Sequence, residues 1–226
     1  MGPEIPTPSA VVDAYGSLDF NSPMADATAG YLVQRLASSA PADITDVGCG
    51  WAELLLRLLE ACQAATGVGF RAELGGVRPS DLVLSVGAEH VFGTLDDGLH
   101  ELLPWVRPGG RLLLGTLIWE RPPVSELLEA FGELPSLDDA VAAAVDAGWR
   151  PLDLKVATME DWDHFEFGFM ADWERVAMSP TSTVPATWRA AARSASSSSS
   201  LAAPLLPRGH RADRGRPQPS GELLFC

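Results

Sequence analysis

The segment ITDVGCGWAELLLRLLEACQAATGVGF, residues 44–70, most narrows what this chain can become. It opens on a short apolar run and breaks at Gly48 and Gly50. Leu54, Leu55, Leu58, Leu59 and Cys62 then recur at the spacing of one helix face, and a second short run, TGVGF, closes the segment. Strand, glycine turn, helix and strand in that order do not make a hairpin. The helix returns the chain to the edge it left, so the two strands run parallel. A parallel sheet must be covered on both faces.

The alternation continues. DLVLSVGAEHVFG (81–93), RLLLGTLIW (111–119) and PLDLKVATM (151–159) read as further strands, the first two apolar enough for burial on both faces. A helix over 25–37 carries an apolar stripe of Tyr31, Leu32, Val33 and Leu36. A second, in TLDDGLHELLPWV (94–106), has Thr94 as its cap and acids in its first turn. A third, in SLDDAVAAAVDAGW (136–149), starts on a capping box of Ser136 and Asp139 and ends at Gly148. RPGG (107–110) turns the chain into the strand that follows it.

One α/β domain is therefore expected over 25–178, after a flexible segment over 1–24. Residues 179–226, with a serine run and scattered Pro and Arg, read as a disordered low-complexity tail. ELLFC, at 222–226, is too short and isolated to count as a strand. TMEDWDHFEF (158–167) reads as a solvated loop with two buried aromatics. The rival reading gives it to a pocket for a cationic or aromatic molecule.

Charge and cysteines exclude several functions. The net charge is −14, divided into −18 over 1–178 and +4 over 179–226. An acidic body repels phosphate backbones, so nucleic acid is not expected as a partner. No apolar run approaches the ~20 residues of a membrane span. The first residues lack the basic and apolar blocks of a secretion signal, and a cytoplasmic location is expected. Cys49, Cys62 and Cys226 have no paired spacing, which argues against a disulfide framework and against a zinc site, and no metal is expected.

The glycine loop carries the chemistry. At the carboxyl edge of an open parallel sheet, Gly48 and Gly50 let the backbone approach a ligand, and the next helix offers its first N–H groups. A dinucleotide fingerprint needs Gly or Ala where this chain has Glu53, which disfavours an NAD- or FAD-dependent oxidoreductase.

Asp46-Val47-Gly48-Cys49-Gly50-Trp51 resembles the first motif of the Rossmann-like S-adenosylmethionine-dependent methyltransferases. LLPWVRPGGRLLLG resembles that family's helix, Pro-Gly-Gly turn and strand, and DLVLSVGAEHVFG its strand beside the methionine end of the cofactor. The three occur in the family's order within residues 30–170. The resemblance implies an α/β three-layer sandwich with a mostly parallel Rossmann-like sheet. It also implies S-adenosyl-L-methionine as cofactor and methyl transfer to an oxygen, nitrogen or carbon nucleophile of a small molecule. By it, Asp46, Gly48, Cys49 and Gly50 line the amino-acid end of the cofactor, and Ser85, Val86 and Gly87 contact it through the backbone. Glu89 and His90 would stand over the sulfonium. There His90 serves as a general base or merely caps its loop. Trp51 either walls the pocket or packs the first helix turn, and the helix over 25–37 either closes over the site or covers the sheet edge.

The chain also departs from that family. The second strand ends in Gly69 and Phe70, where the family has an acid on the ribose hydroxyls, and Glu73 is the nearest substitute. Each lost charge-assisted bond costs roughly 1.5–3 kcal/mol, so two would weaken binding by roughly two to four decades. Only residues 71–80 precede the next strand, fewer than a crossover's dozen. One strand–helix unit after the second strand is thus expected to be absent, and the family's closing antiparallel hairpin has no visible counterpart. These departures favour the alternative function, a degenerate and inactive methyltransferase-like protein.

Overall fold

The computed structural model describes residues 16–63, 65–70, 78–178 and 221–225. Six strands are β1 (Asp43–Val47), β2 (Thr66–Phe70), β3 (Ser80–Val86), β4 (Val106–Gly115), β5 (Trp149–Leu154) and β6 (Gly221–Phe225). The helices are α1 (Asp26–Ala37), α2 (Glu53–Cys62), α3 (Leu95–Leu102), α4 (Ser125–Phe131), α5 (Leu137–Asp146) and α6 (Met159–Met178). No helix of the described residues is long and apolar enough to cross a membrane.

One sheet holds all six strands in the order β2–β1–β3–β4–β6–β5, and every pairing is parallel. β3 and β4 show why a parallel sheet suits this sequence. Leu82, Val83, Leu84, Leu112 and Leu113 are sealed from solvent on both faces of the sheet. On one face Ile44, Leu82, Leu84 and Leu113 meet Leu32 and Leu36 of α1 and Leu54, Leu55 and Leu58 of α2. On the other, Val47, Val83, Leu112 and Leu114 meet Leu99 and Leu102 of α3, Ala140 and Ala144 of α5, and Trp149. Trp149 is 2% exposed and donates its indole N–H to the Leu99 carbonyl at 3.0 Å, so its polar end is satisfied inside the core.

The expected caps are present. Thr94 accepts from the Asp97 N–H, and Ser136 and Asp139 form a reciprocal box at the start of α5. RPGG bulges out within β4, where the register steps from Ser80↔Val106 to Leu82↔Arg111. The missing unit is also borne out. Among the described residues β2 is the sheet edge, and only nine residues, 71–79, separate it in sequence from β3, two places along the sheet. Nine extended residues reach ~30 Å, enough for two strand spacings of ~4.8 Å and a return along a short strand.

Two expectations about the later part of the chain need correcting. Residues 221–225 are a strand seated between β4 and β5, so the end of the chain completes the sheet instead of trailing from it. No antiparallel hairpin closes the described sheet. TMEDWDHFEF opens α6 and is helical from Met159, not a loop. Residues 1–15 and 179–220, expected to be flexible, lie outside the described residues, as does Glu73.

The segment before α1 is packed where flexibility is expected. Leu18, Phe20 and Met24 are buried, and a Cβ on Gly168 of α6 would fall 2.5 Å from Leu18 Cδ2. Two α6 carboxylates fix this segment. Asp172 accepts from the Ser17 N–H and hydroxyl at 2.7 and 2.6 Å. Asp161, 1% exposed, accepts from the Ala25 N–H, the Thr28 hydroxyl, and the Thr158 N–H and hydroxyl.

Burial of Asp161 alone would raise its pKa. The hydrogen bonds from Thr158, Ala25 and Thr28 outweigh burial and hold the carboxyl at about 2. A depressed carboxyl contributes stability above its unfolded pKa of ~3.9 and loses it as pH falls towards 2. Asp161→Ala is expected to cost about 3 kcal/mol at pH 7 in urea unfolding, because it uncaps two helix starts and strands buried donors. That cost should shrink between pH 4 and 2. A loss that does not change with pH would refute this account of the carboxylate.

Candidate active site

β1 and β3 end side by side, with Val47 opposite Ser85. The loops that follow them meet at the carboxyl edge. Gly48 has φ +71°, and a Cβ there would lie 2.6 Å from the Ala88 Cβ, so only glycine lets the first loop close on the second. Gly50 at φ +53° has nothing within 4 Å of an added Cβ, which leaves its backbone open to a ligand.

Asp46 lies beneath the glycine loop, 6% exposed and without a side-chain partner among the described residues. Loss of water pushes its carboxyl up to about 7, with no neighbouring cation to oppose the change. The Ser85 hydroxyl is buried and likewise unpartnered. Polar side chains without a hydrogen-bond partner are costly inside a protein, and Asp46 and Ser85 stand together at the end of the sheet where the two loops meet.

Two cavities open there. The smaller, about 60 Å³, is lined by Asp46, Gly48, Cys49, Gly50, Trp51 and the segment Asp19–Ser22 with Met24. The larger, about 490 Å³, runs along the ends of β3, β4 and β5 past Gly87, Thr116, Ile118, Lys155 and Trp162. Ser22, Met24 and Val86 line both, so the cavities adjoin at the end of β3. Trp51 walls the smaller cavity and donates its indole N–H to the Asp19 carbonyl at 2.5 Å, tying the glycine loop to the N-terminal segment.

The structure thus gathers Asp46, Gly48, Cys49, Gly50 and Val86 at one cavity, and places Gly87 at the other. Ser85 sits buried behind them. His90 is exposed on a short 3-10 turn, outside the lining of both cavities. Glu89 shares that turn, and its side chain lies outside the described residues. The segment 19–24 and the walls at 115–121 and 154–157 were not legible as site residues, whereas Thr158, Met159 and Trp162 line the larger cavity, in keeping with the rival pocket reading of 158–167. Nothing local marks a residue that reaches a site only through packing. No group of His, Cys, Asp and Glu among the described residues could hold a metal ion.

A parallel sheet with helices on both faces, and a ligand cleft above a glycine loop at its carboxyl edge, defines a Rossmann-like nucleotide-site fold. No family model and no curated protein matches the chain. Solved structures do. The fold is similar to that of a SAM-dependent methyltransferase from Geobacter sulfurreducens, in complex with S-adenosyl-L-homocysteine. The TM-score is 0.71 at 17% identity, covering 86% of this chain and 92% of that one. A methyltransferase from Thiobacillus denitrificans, also in complex with S-adenosyl-L-homocysteine, gives 0.69 at 17% identity over 85% and 92%. YJHP from E. coli gives 0.70 at 20% identity over 84% and 92%. The chain therefore has the α/β fold shared by these structures, the two SAM-dependent methyltransferases among them.

Proposed function

We propose that the chain is a methyltransferase that uses S-adenosyl-L-methionine to methylate a small molecule at oxygen, nitrogen or carbon. The observation that carries this reading is the Asp46 carboxyl, buried without a partner beneath the glycine loop, where the small cavity adjoins a larger one. The residues present fit the amino-acid end of such a cofactor. Asp46 and the open backbone at Gly50 and Cys49 would hold it, with Ser85, Val86 and Gly87 beyond. When bound, the cofactor supplies an electrophilic methyl group that passes to a nucleophile while the bonding pair stays on sulfur.

The chain's own contribution is alignment and exclusion of water. Asp46, half-protonated near pH 7, would be held as a full carboxylate by a cationic ammonium placed beside it. Phe20 and Met24, both buried, cover the cavity from the N-terminal side. We assign proton removal to neither His90 nor Glu89, because alignment of nucleophile and methyl group is enough for many such transfers.

The alternative is a binding-incompetent relative, and one observation favours it. A cavity of about 60 Å³, walled by residues 19–22 and Met24, is far below the ~300–1,000 Å³ of ligand pockets. Calorimetric titration with S-adenosyl-L-homocysteine separates the two. Micromolar binding that Asp46→Ala weakens at least tenfold supports the transferase. No heat at millimolar ligand supports the inactive relative.

A further inference from the structure

The larger cavity has a chemistry of its own. Its wall is mostly apolar, from Pro23, Leu117, Ile118, Val156, Met159 and Trp162, and its volume of about 490 Å³ suits a small organic molecule. Its charged lining residues are Arg121 and Glu120, both exposed, and the half-buried Lys155. Two cations against one acid is unusual on a chain of net charge −14.

These cations are also uncommitted. Among the described residues Arg35, Arg57, Arg107 and Arg175 are held in ion pairs, and Arg111 and Arg150 also have partners. Arg121 and Lys155 have none, and the other such cation, Arg78, stands just before β3 at the opposite edge of the sheet. An acidic protein has carboxylates to spare for its cations. Two that stay unpaired and line one cavity are available to an anion from outside.

The position of Lys155 sets the length of that molecule. Lys155 follows β5, which lies three places along the sheet from β3, and at ~4.8 Å per strand that is ~14 Å from the junction of the cavities. We propose that the methyl acceptor is an apolar molecule with an anionic group at one end, gripped by Arg121 and Lys155. Its nucleophile lies at the other end, beside Val86 and Gly87. This rests on the transferase reading, and it makes the anion a handle and not the atom that is methylated. The expected preference is opposite to the cationic one that the acidic stretch 158–167 suggests. Of that stretch Thr158, Met159 and Trp162 line the cavity, whereas Asp161 is spent on helix caps.

Calorimetry on the full chain tests it, first with S-adenosyl-L-homocysteine alone and then with two matched sets added to the saturated protein. The sets are 6-hydroxy-2-naphthoate, 2-naphthol and 6-(aminomethyl)-2-naphthol, and 4-(4-hydroxyphenyl)butyrate with its butylamine analogue. At least one acid is expected to bind tenfold or more tighter than its amine. Arg121→Gln and Lys155→Gln should each weaken the acid about five- to tenfold and leave homocysteine-ligand affinity and melting temperature unchanged. If that ligand binds but neither acid is preferred, or if the double variant keeps the preference, the anionic acceptor is overturned. If the acids bind and the ligand does not, the anion site stands while the transferase reading, and the acceptor role with it, falls.

Discussion

A chain that stops at residue 220 is expected to lose cooperative thermal unfolding. β6 fills the slot between β4 and β5, pairing Glu222–Phe225 with Arg111–Leu114 on one side and Gly221–Phe225 with Trp149–Leu154 on the other. Without it β4 and β5 stand two strand spacings apart, ~9.6 Å, too far to hydrogen-bond. Each lost bond is worth about 0.5–1.5 kcal/mol. Roughly one bond per paired residue totals on the order of 10 kcal/mol, comparable with the ~5–15 kcal/mol that holds a domain together. Leu223→Pro is a subtler probe, since it removes one donor from an interior strand and should cost about 3 kcal/mol or more. Circular dichroism melting of both variants checks this. A truncated chain that melts within a few degrees of the full one would show that β6 contributes little.

Asp46→Asn is expected to stabilise the protein and disable the site. The Asp46 carboxyl titrates at about 7 when folded and at ~3.9 when unfolded. A raised folded pKa means that its contribution is fully present below pH ~3.9 and is lost as pH rises through 7. The gap between the two values sets the size of the penalty, which grows to about 4 kcal/mol at pH 8 or above. Asparagine keeps the shape and carries no charge. Its stability gain should therefore approach a few kcal/mol at pH 8 and vanish near pH 4, measured by urea unfolding across that range. The same change should cut S-adenosyl-L-homocysteine affinity at least tenfold, because a neutral amide cannot balance an ammonium in a dry cavity. A destabilised Asp46→Asn chain at pH 8 would mean that the carboxylate has a native partner and that burial alone does not set its pKa.

Much of this was written locally. The strand–glycine–helix–strand run at 44–70 and the capped helices at Thr94 and Ser136 appear where short-range pattern places them. Each depends on contacts within a few residues. The lost strand–helix unit was legible for the same reason, since the count of residues 71–79 limits what can fit between β2 and β3.

Other features were not legible. GELLF has no periodicity that five residues could reveal, and what makes it a strand is the slot between β4 and β5. The short helix α4, with Leu127 and Phe131 still exposed, has little amphipathic signal to detect. TMEDWDHFEF reads as a loop because its acids break the stripe. Asp161 in fact caps two helices from a buried position.

The sequence alone determined a parallel α/β sheet and a glycine loop above Asp46, because both follow from the order and spacing of neighbouring residues. Only the tertiary structure decided that Asp46 has no partner, that Phe20 and Met24 close over it, and that Arg121 and Lys155 share a cavity. Burial and free charge are properties of what surrounds a side chain, and here those surroundings come from separate stretches of the chain, 19–24, 46–54, 86–87, 115–121 and 154–162.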